Sequence, residues 1–389
     1  MKRIILLLLL VLSCIQTGQA QLNLSNTAEI SILTVGPGRY LYDKFGHSAF
    51  RVQDPALGID MVFNYGTYDF NTPNFYGKFA KGELLYSLST SGYAGFYRSY
   101  VYQERWIKEQ KLDLNSDQKQ ALFEYLQWNA LPENKDYRYD FLFDNCATRI
   151  RDVLVEALGE DLKYDMSYAK APYTYRQLIQ QHVHWNSWGS LGMDIGIGAV
   201  TDRIAPAWDY QFLPDYVAQA AATADLADST GVKPLVKQEE MLYTTAVVHD
   251  NSGLMDNPFL FFILIGLVLV VITVIDARRQ KRSRYLDGGI FLLTGIVGSI
   301  LLFLWFGTQH TTTADNYNLL WGFPLSLLLV PLISRKQPPK WLARYSFWLV
   351  LMLALMVFHQ LSGVQQFAPA LTPLLVGLAI RYLYLWKTI

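Results

Sequence analysis

The chain has 389 residues, and its 33 lysines and arginines balance 33 aspartates and glutamates, so the net charge is zero and gives no lead to a partner. There is no Gly-rich phosphate loop, zinc-ligand spacing, nucleic-acid signature or internal repeat. Hydrophobic residues make up 51%, unevenly spread: the sequence is mixed to about residue 250 and hydrophobic at membrane length thereafter.

The first 20 residues have the form of an export signal: Lys2-Arg3, an apolar stretch over 4–12, and a small-residue cleavage site at Gly18-Gln19-Ala20. Val11-Leu12-Ser13-Cys14 offers the alternative of a lipoprotein processing site, with Cys14 as the lipidated first residue. Either route sends the following domain, 21–217, out of the cytoplasm. Cys14 and Cys146 are the only cysteines, so that domain keeps a single thiol. An oxidising compartment usually pairs structural cysteines, and a leftover one is either a buried apolar filler or a nucleophile.

Within 21–217 the apolar run 29–35 reads as a strand, ended by Gly36-Pro37-Gly38. Residues 46–52 alternate as a second strand, with His47, Ala49 and Arg51 on one side. After Gln53-Asp54-Pro55, residues 60–66 form its hairpin partner. An aromatic stretch over 68–79 precedes another strand at 83–89. A helix over 116–128 follows, with Ser116 as candidate N-cap and an end near Pro132. The aromatic segment 137–143 then leads to Asp144-Asn145-Cys146-Ala147-Thr148-Arg149. Ile150, Val153, Leu154 and Ala157 mark one face of a helix starting at or just before Cys146.

Residues 218–256, Ala/Asp/Thr-rich from Ala218 to Thr230 and then turning through Gly231 and Pro234, read as a connection, partly helical, that lets the domain sit close to the membrane: a linker. The remainder, 257–389, holds five candidate spans at about 257–275, 288–307, 317–333, 345–361 and 368–386. The loops at 278–284 and 335–344 are basic, whereas 308–316 and 361–367 contain no lysine or arginine. The positive-inside tendency brings the first span in from outside and leaves Lys387 in the cytoplasm. The fold class is therefore α+β, an exported domain followed by an all-α membrane domain of five helices.

A thiol in the first turn of a helix gains from the positive end of the dipole and from unpaired N–H groups, both of which favour the thiolate. His47, in Phe45-Gly46-His47-Ser48-Ala49-Phe50, supplies an imidazole to complete the activation, and the same N–H groups can hold a tetrahedral oxyanion. A cysteine at a helix start with a histidine on a facing strand reads as acyl transfer.

The order of histidine first and Asn-Cys later resembles the circularly permuted papain-like proteins related to lecithin:retinol acyltransferase. More closely, the chain is similar to the Lnb-type lipoprotein N-acyltransferases, which join an exported papain-like domain to C-terminal membrane helices. The matching stretches are Phe45-Gly46-His47-Ser48-Ala49-Phe50, Phe63-Asn64-Tyr65-Gly66-Thr67-Tyr68-Asp69-Phe70, Asp144-Asn145-Cys146-Ala147-Thr148-Arg149 and Phe212-Leu213-Pro214-Asp215-Tyr216, with 310–321 as a fifth. The resemblance implies Cys146 as nucleophile and His47 as base; Asn64 is the choice for the orienting third group.

Of the other histidines, His182 and His184 read as packing residues beside Trp185 and Trp188, and His249 as incidental. His310, with Asn316 and Asn318 in the loop outside the second span, is expected to bind substrate. His359 falls on the same side, and Arg381 is expected to snorkel toward the cytoplasmic face.

The reading these features support is a multi-pass bacterial inner-membrane cysteine acyltransferase with its catalytic domain on the periplasmic side. The donor is a membrane phospholipid or the lipoprotein's own glyceride, the acceptor is the α-amine of a lipidated N-terminal cysteine, and no metal or diffusible cofactor is required. The alternatives are a papain-like cell-wall peptidase or amidase with the same dyad, and a non-catalytic membrane-anchored binding protein with Cys146 as core. Five spans favour the first, because a lipid donor and a lipid acceptor both lie in the bilayer. Topology reporters inserted at 278–284 and 335–344 are expected to read cytoplasm, and those at 308–316 and before residue 250 the outside. A cytoplasmic reading at 308–316 overturns the shared outer surface.

Overall fold

The computed structural model describes residues 22–228, 231–247 and 257–389. The export signal with Cys14, part of the predicted linker, and His249 lie outside the described residues. β1 (Glu29–Val35), β2 (His47–Asp54), β3 (Ile59–Thr67) and β4 (Leu85–Gly92) run as an antiparallel meander. β5 (Ile107–Leu112) joins the free side of β1, and β6 (Asp136–Arg138) that of β4.

Both faces of this sheet are covered, so β1 reads as an apolar run rather than a strict alternation. On one face, Ile30, Ile32, Phe50, Val52 and Phe63 pack against α3 (Ser116–Asn129) and α4 (Cys146–Leu158). Leu33, Val35, Ala49 and Val62 cover the other face together with Phe96 of α2 (Tyr93–Tyr102). The expected strands 46–52 and 60–66 form the β2–β3 hairpin. α1 (Phe75–Lys81) occupies the aromatic stretch before β4. The N-cap of α3 is Asn115 rather than Ser116. Its side chain accepts from the Gln118 N–H, and Gln118 answers with its own oxygen on the Asn115 N–H.

The linker expected over 218–256 is overturned for most of its length. Residues 218–223 finish α7 (Pro214–Thr223), which buries Val217, Ala218, Ala220 and Ala221. β7 (Leu162–Lys163), β8 (Asp225–Asp228) and β9 (Gly231–Pro234) form a small sheet, and β10 (Val236–Tyr243) pairs with β5 as the seventh strand of the main one. The alanine-rich part is helical, as expected, but its face is fitted against the core rather than spanning between domains.

The membrane half holds five segments long and apolar enough to cross a bilayer: α8 (Pro258–Arg279), α9 (Arg284–Phe306), the stretch Thr311–Ile333, α11 (Trp341–Ser362), and a fifth ending in α12 (Thr372–Thr388). The third is composite, with two 3-10 turns before the nine-residue helix α10 (Leu325–Ile333). Arg381 does not snorkel. It is fully buried, 2.8 Å from Asp276 of α8 and 2.7 Å from Asp287 of α9, and Arg282 also holds Asp287. A guanidinium in an apolar bundle is tolerated only with such partners, and these tie three helices at one end.

The two halves meet along α6 (Trp188–Gly196) and the loop after it. Asn316 donates to the carbonyls of Ile195 and Gly196, and Asn318 to that of Asp194; both side chains are buried. Gly198 donates to Thr312 O at 2.8 Å, where a Cβ would stand only 1.8 Å from Ala314 O. Asp194 and Asp202 are held in turn by buried Arg176. Removing one such amide leaves buried carbonyls unpaired, a loss of about 1–3 kcal/mol. Asn318→Ala is therefore expected to lower the thermal midpoint of the detergent-purified protein by several degrees; an unchanged midpoint excludes this docking role.

Candidate active site

α4 starts at Cys146 because Asn145 caps it. The Asn145 Oδ1 accepts from Ala147 N–H at 2.8 Å and Thr148 N–H at 3.0 Å, and Thr148 Oγ1 returns a bond from the Asn145 N–H. The Asn145 amide donates to Phe141 O and Phe212 O, fixing the helix start to the chain on either side. Cys146 thus occupies the first helical position, where the dipole favours an anion.

His47 opens β2, and its Nε2 donates to Asn64 Oδ1 on β3 at 2.5 Å, which leaves Nδ1 for the thiol. Gly66 follows within β3 at φ +85°, a conformation suited to glycine, and a Cβ there would lie 3.3 Å from that of Cys146. The strand bends around the thiol at this point, where the β3–β4 register shifts between Asn64 and Thr67.

Burial pushes the Cys146 thiol up. The charge and hydrogen bond of His47, with the N–H groups of Ser48 and Ala147, outweigh it and hold the thiol below its ordinary value. Burial pulls His47 down, but the Cys146 thiolate and Asn64 hold it above its ordinary value. Both shifts favour the thiolate–imidazolium form, the one nucleophilic catalysis by cysteine uses.

Tyrosines enclose the pair. The Tyr100 ring lies 6.1 Å from His47, and burial pushes its hydroxyl up to about 12. Burial likewise raises Tyr137 and Tyr139, both within electrostatic range of the thiol, so these groups stay neutral beside it. Arg105 stands 4.9 Å over Tyr100 with its Nε on Gly36 O, and burial lowers its pKa.

Three of the six sequence-predicted residues, Cys146, His47 and Asn64, converge. The substrate-binding expectation for Asn316 and Asn318 gives way to docking: their amides bond to α6 carbonyls and, from Asn318 Oδ1, to Trp321 Nε1. His310 stays half-exposed beside Gly82, and its loop is bonded to the segment that precedes Cys146: Arg138 donates to Gln309 Oε1 and Thr311 to the Asp140 carboxylate. His359 packs on Tyr317 at 4.5 Å, His182 on Phe45 at 5.8 Å and His184 on Trp185 at 6.0 Å. Gly66, Tyr139 and the Asn145 amide escaped sequence reasoning as site residues. The signals were present: a glycine two positions after Asn64, an aromatic run before Cys146, and an asparagine at the cap.

Two family models match the chain in order. The Lnb N-terminal periplasmic domain matches residues 16–181, and the Lnb transmembrane domain matches residues 249–389. No curated protein and no solved structure matches it.

The pair has a pH signature. Thiolate is present above the lowered Cys146 value, so the midpoint for alkylation of the Cys146 peptide by iodoacetamide should lie below that of an ordinary thiol. In His47→Ala burial is opposed only by the N–H groups of Ser48 and Ala147, and the midpoint is expected to rise above that of the native protein. Superimposable profiles for the two proteins remove the ion pair.

Proposed function

The chain belongs to the Lnb-type family, and from that premise we propose that it is a cysteine-dependent lipoprotein N-acyltransferase of the bacterial inner membrane, with its catalytic domain on the periplasmic side. The observation that carries this reading is the Cys146–His47–Asn64 constellation, tied to the outer loop of the membrane half through Arg138–Gln309 and Asp140–Thr311.

The Cys146 thiolate attacks the ester carbonyl of a membrane lipid or of the lipoprotein's own glyceride. The carbon–sulfur bond forms, and the carbonyl oxygen takes the negative charge. We assign that oxyanion to the Cys146 N–H, because the N–H of Thr148 goes to Asn145 Oδ1, that of Arg149 to Asn145 O, and that of Ala147 is shared between Asn145 Oδ1 and the thiol. The ester carbon–oxygen bond then breaks, and the leaving alcohol takes the proton from His47.

In the second half the α-amine of the lipidated N-terminal cysteine attacks the thioester and yields its proton to His47. An amide forms and the thiolate is regenerated. Asn64 holds the ring so that Nδ1 serves both proton transfers. His310, on the loop whose Gln309 and Thr311 bond to Arg138 and Asp140, is the residue of the membrane half to which this reading gives the orienting of the lipid.

Mass spectrometry of a lipoprotein N-terminus from cells with and without this protein tests the reading, the expected difference being one N-linked acyl chain. Cys146→Ser and His47→Ala should each lower transfer at least about a thousandfold, and Asn64→Ala about tenfold, with membrane insertion unchanged. Wild-type turnover in Cys146→Ser overturns the thioester route.

A further inference from the structure

The exported domain exposes large aromatic side chains on the side that faces the membrane half. In the turn before β2, Tyr42 is 78% exposed. Phe70, Tyr76 and Phe79, in and before α1, are 66%, 80% and 52% exposed. Exposed aromatics so close together are uncommon on a water-facing surface and mark a surface meant for something apolar.

Their position supplies the occupant. Lys81, the last residue of α1, accepts at its carbonyl from Gln309 N–H at 2.8 Å, and Gly82 lies against His310. Gln309 comes three residues after the Trp305-Phe306 pair that ends α9, at the level where aromatic side chains belt a bilayer face. Leu41, beside Tyr42, touches Gly189 on α6, whose neighbour Trp188 packs on Phe261 of α8 at 5.4 Å. Both aromatic edges are therefore continuous with the seam between the two halves. Lys78 and Lys81 in the last turn of α1 add attraction for anionic headgroups.

A row of rings runs inward from this surface. Phe79 and Phe70 meet Phe75, which meets Tyr68 at 5.8 Å; Tyr68 meets Tyr86 at 5.3 Å, and Tyr86 stacks on Tyr139 at 4.4 Å. Tyr86, Tyr139 and Cys146 pack against the same core cluster. Tyr139 lies between Arg138 and Asp140, the residues bonded to the outer membrane loop.

We propose that the 70–79 edge seats in the outer leaflet and that the ring row Tyr68–Tyr86–Tyr139 is the track along which a lipid acyl chain passes from the bilayer to Cys146. The track rests on the acyl-transfer reading; the seating does not. Aromatic faces suit this role because they are apolar, rigid and indifferent to the position of an acyl chain sliding over them.

Spin labels at Tyr76→Cys and Phe79→Cys, in full-length protein carrying Cys146→Ser and held in phosphatidylglycerol–phosphatidylethanolamine nanodiscs, test the seating. Oxygen should reach them better than a water-soluble nickel complex does, relative to a label at exposed Lys163→Cys. A label as wet as the reference, or one shielded from both reagents as a second copy or a protein partner would shield it, overturns the seating. For the track, Tyr68→Ser in the otherwise native chain should lower transfer from a vesicle-borne lipid at least about tenfold while leaving iodoacetamide labelling of Cys146 unchanged. Unchanged transfer overturns the track. If the native chain itself transfers nothing, the acyl-transfer reading and its track fall together, while deep labels still establish the seating.

Discussion

The position of one buried amide sets the rest. Asn145 is 3% exposed, and all its polar atoms are engaged: Oδ1 on two N–H groups of α4, Nδ2 on Phe141 O and Phe212 O. An N-cap contributes about 1 kcal/mol to an ordinary helix. This one also fixes where α4 begins against two chain segments 67 residues apart at the Phe212 bond, and so where the thiol stands. Moving the first turn by one residue would swing Cys146 by about 100° around the helix axis, away from His47 and from the space Gly66 leaves open. The Phe212-Leu213-Pro214 stretch, far from the thiol in sequence, belongs to the site for this reason.

The second constraint is the height of the thiol above the membrane. Segment 138–144 is pinned at one end to the outer loop by Arg138 and Asp140 and runs at the other into the Asn145 cap. Asn316, Asn318 and Gly198 hold α6 and its following loop to the same membrane half. The Cys146–His47 pair is thus referenced to the membrane half through short backbone paths rather than through a free tether, which would suit the proposed reaction between two lipid-borne substrates.

Much of this was legible from residues with strong local signatures. The strand alternation of 46–52, the apolar periodicity after Cys146 and the charged loops between spans each follow from a rule that acts within a dozen residues. Partners supplied by distant segments were not legible. Asn316 and Asn318 looked like substrate ligands because polar residues at a bilayer face are conspicuous; only the fold brings the carbonyls of Asp194, Ile195 and Gly196 to them. Arg381 looked like a snorkeling side chain because Asp276 and Asp287 are about a hundred residues away in sequence and adjacent in space. The same blindness made 218–243 look like a linker, since β10 gains its meaning only beside β5.

Enclosure of the pair has a chemical consequence under the proposed chemistry. A thioester is open to water as well as to an amine, so transfer prevails only if water is kept from the carbonyl while the amine is brought to it. Tyr100 lies beside His47, Tyr137 and Tyr139 stand within electrostatic range of the thiol, and burial keeps their hydroxyls neutral. Neutral hydroxyls do not compete with His47 as bases, and they place no negative charge beside the thiolate, which would raise its pKa and cancel what His47 supplies. Under that chemistry the neutral tyrosines before Cys146 leave both proton transfers to the imidazole of His47.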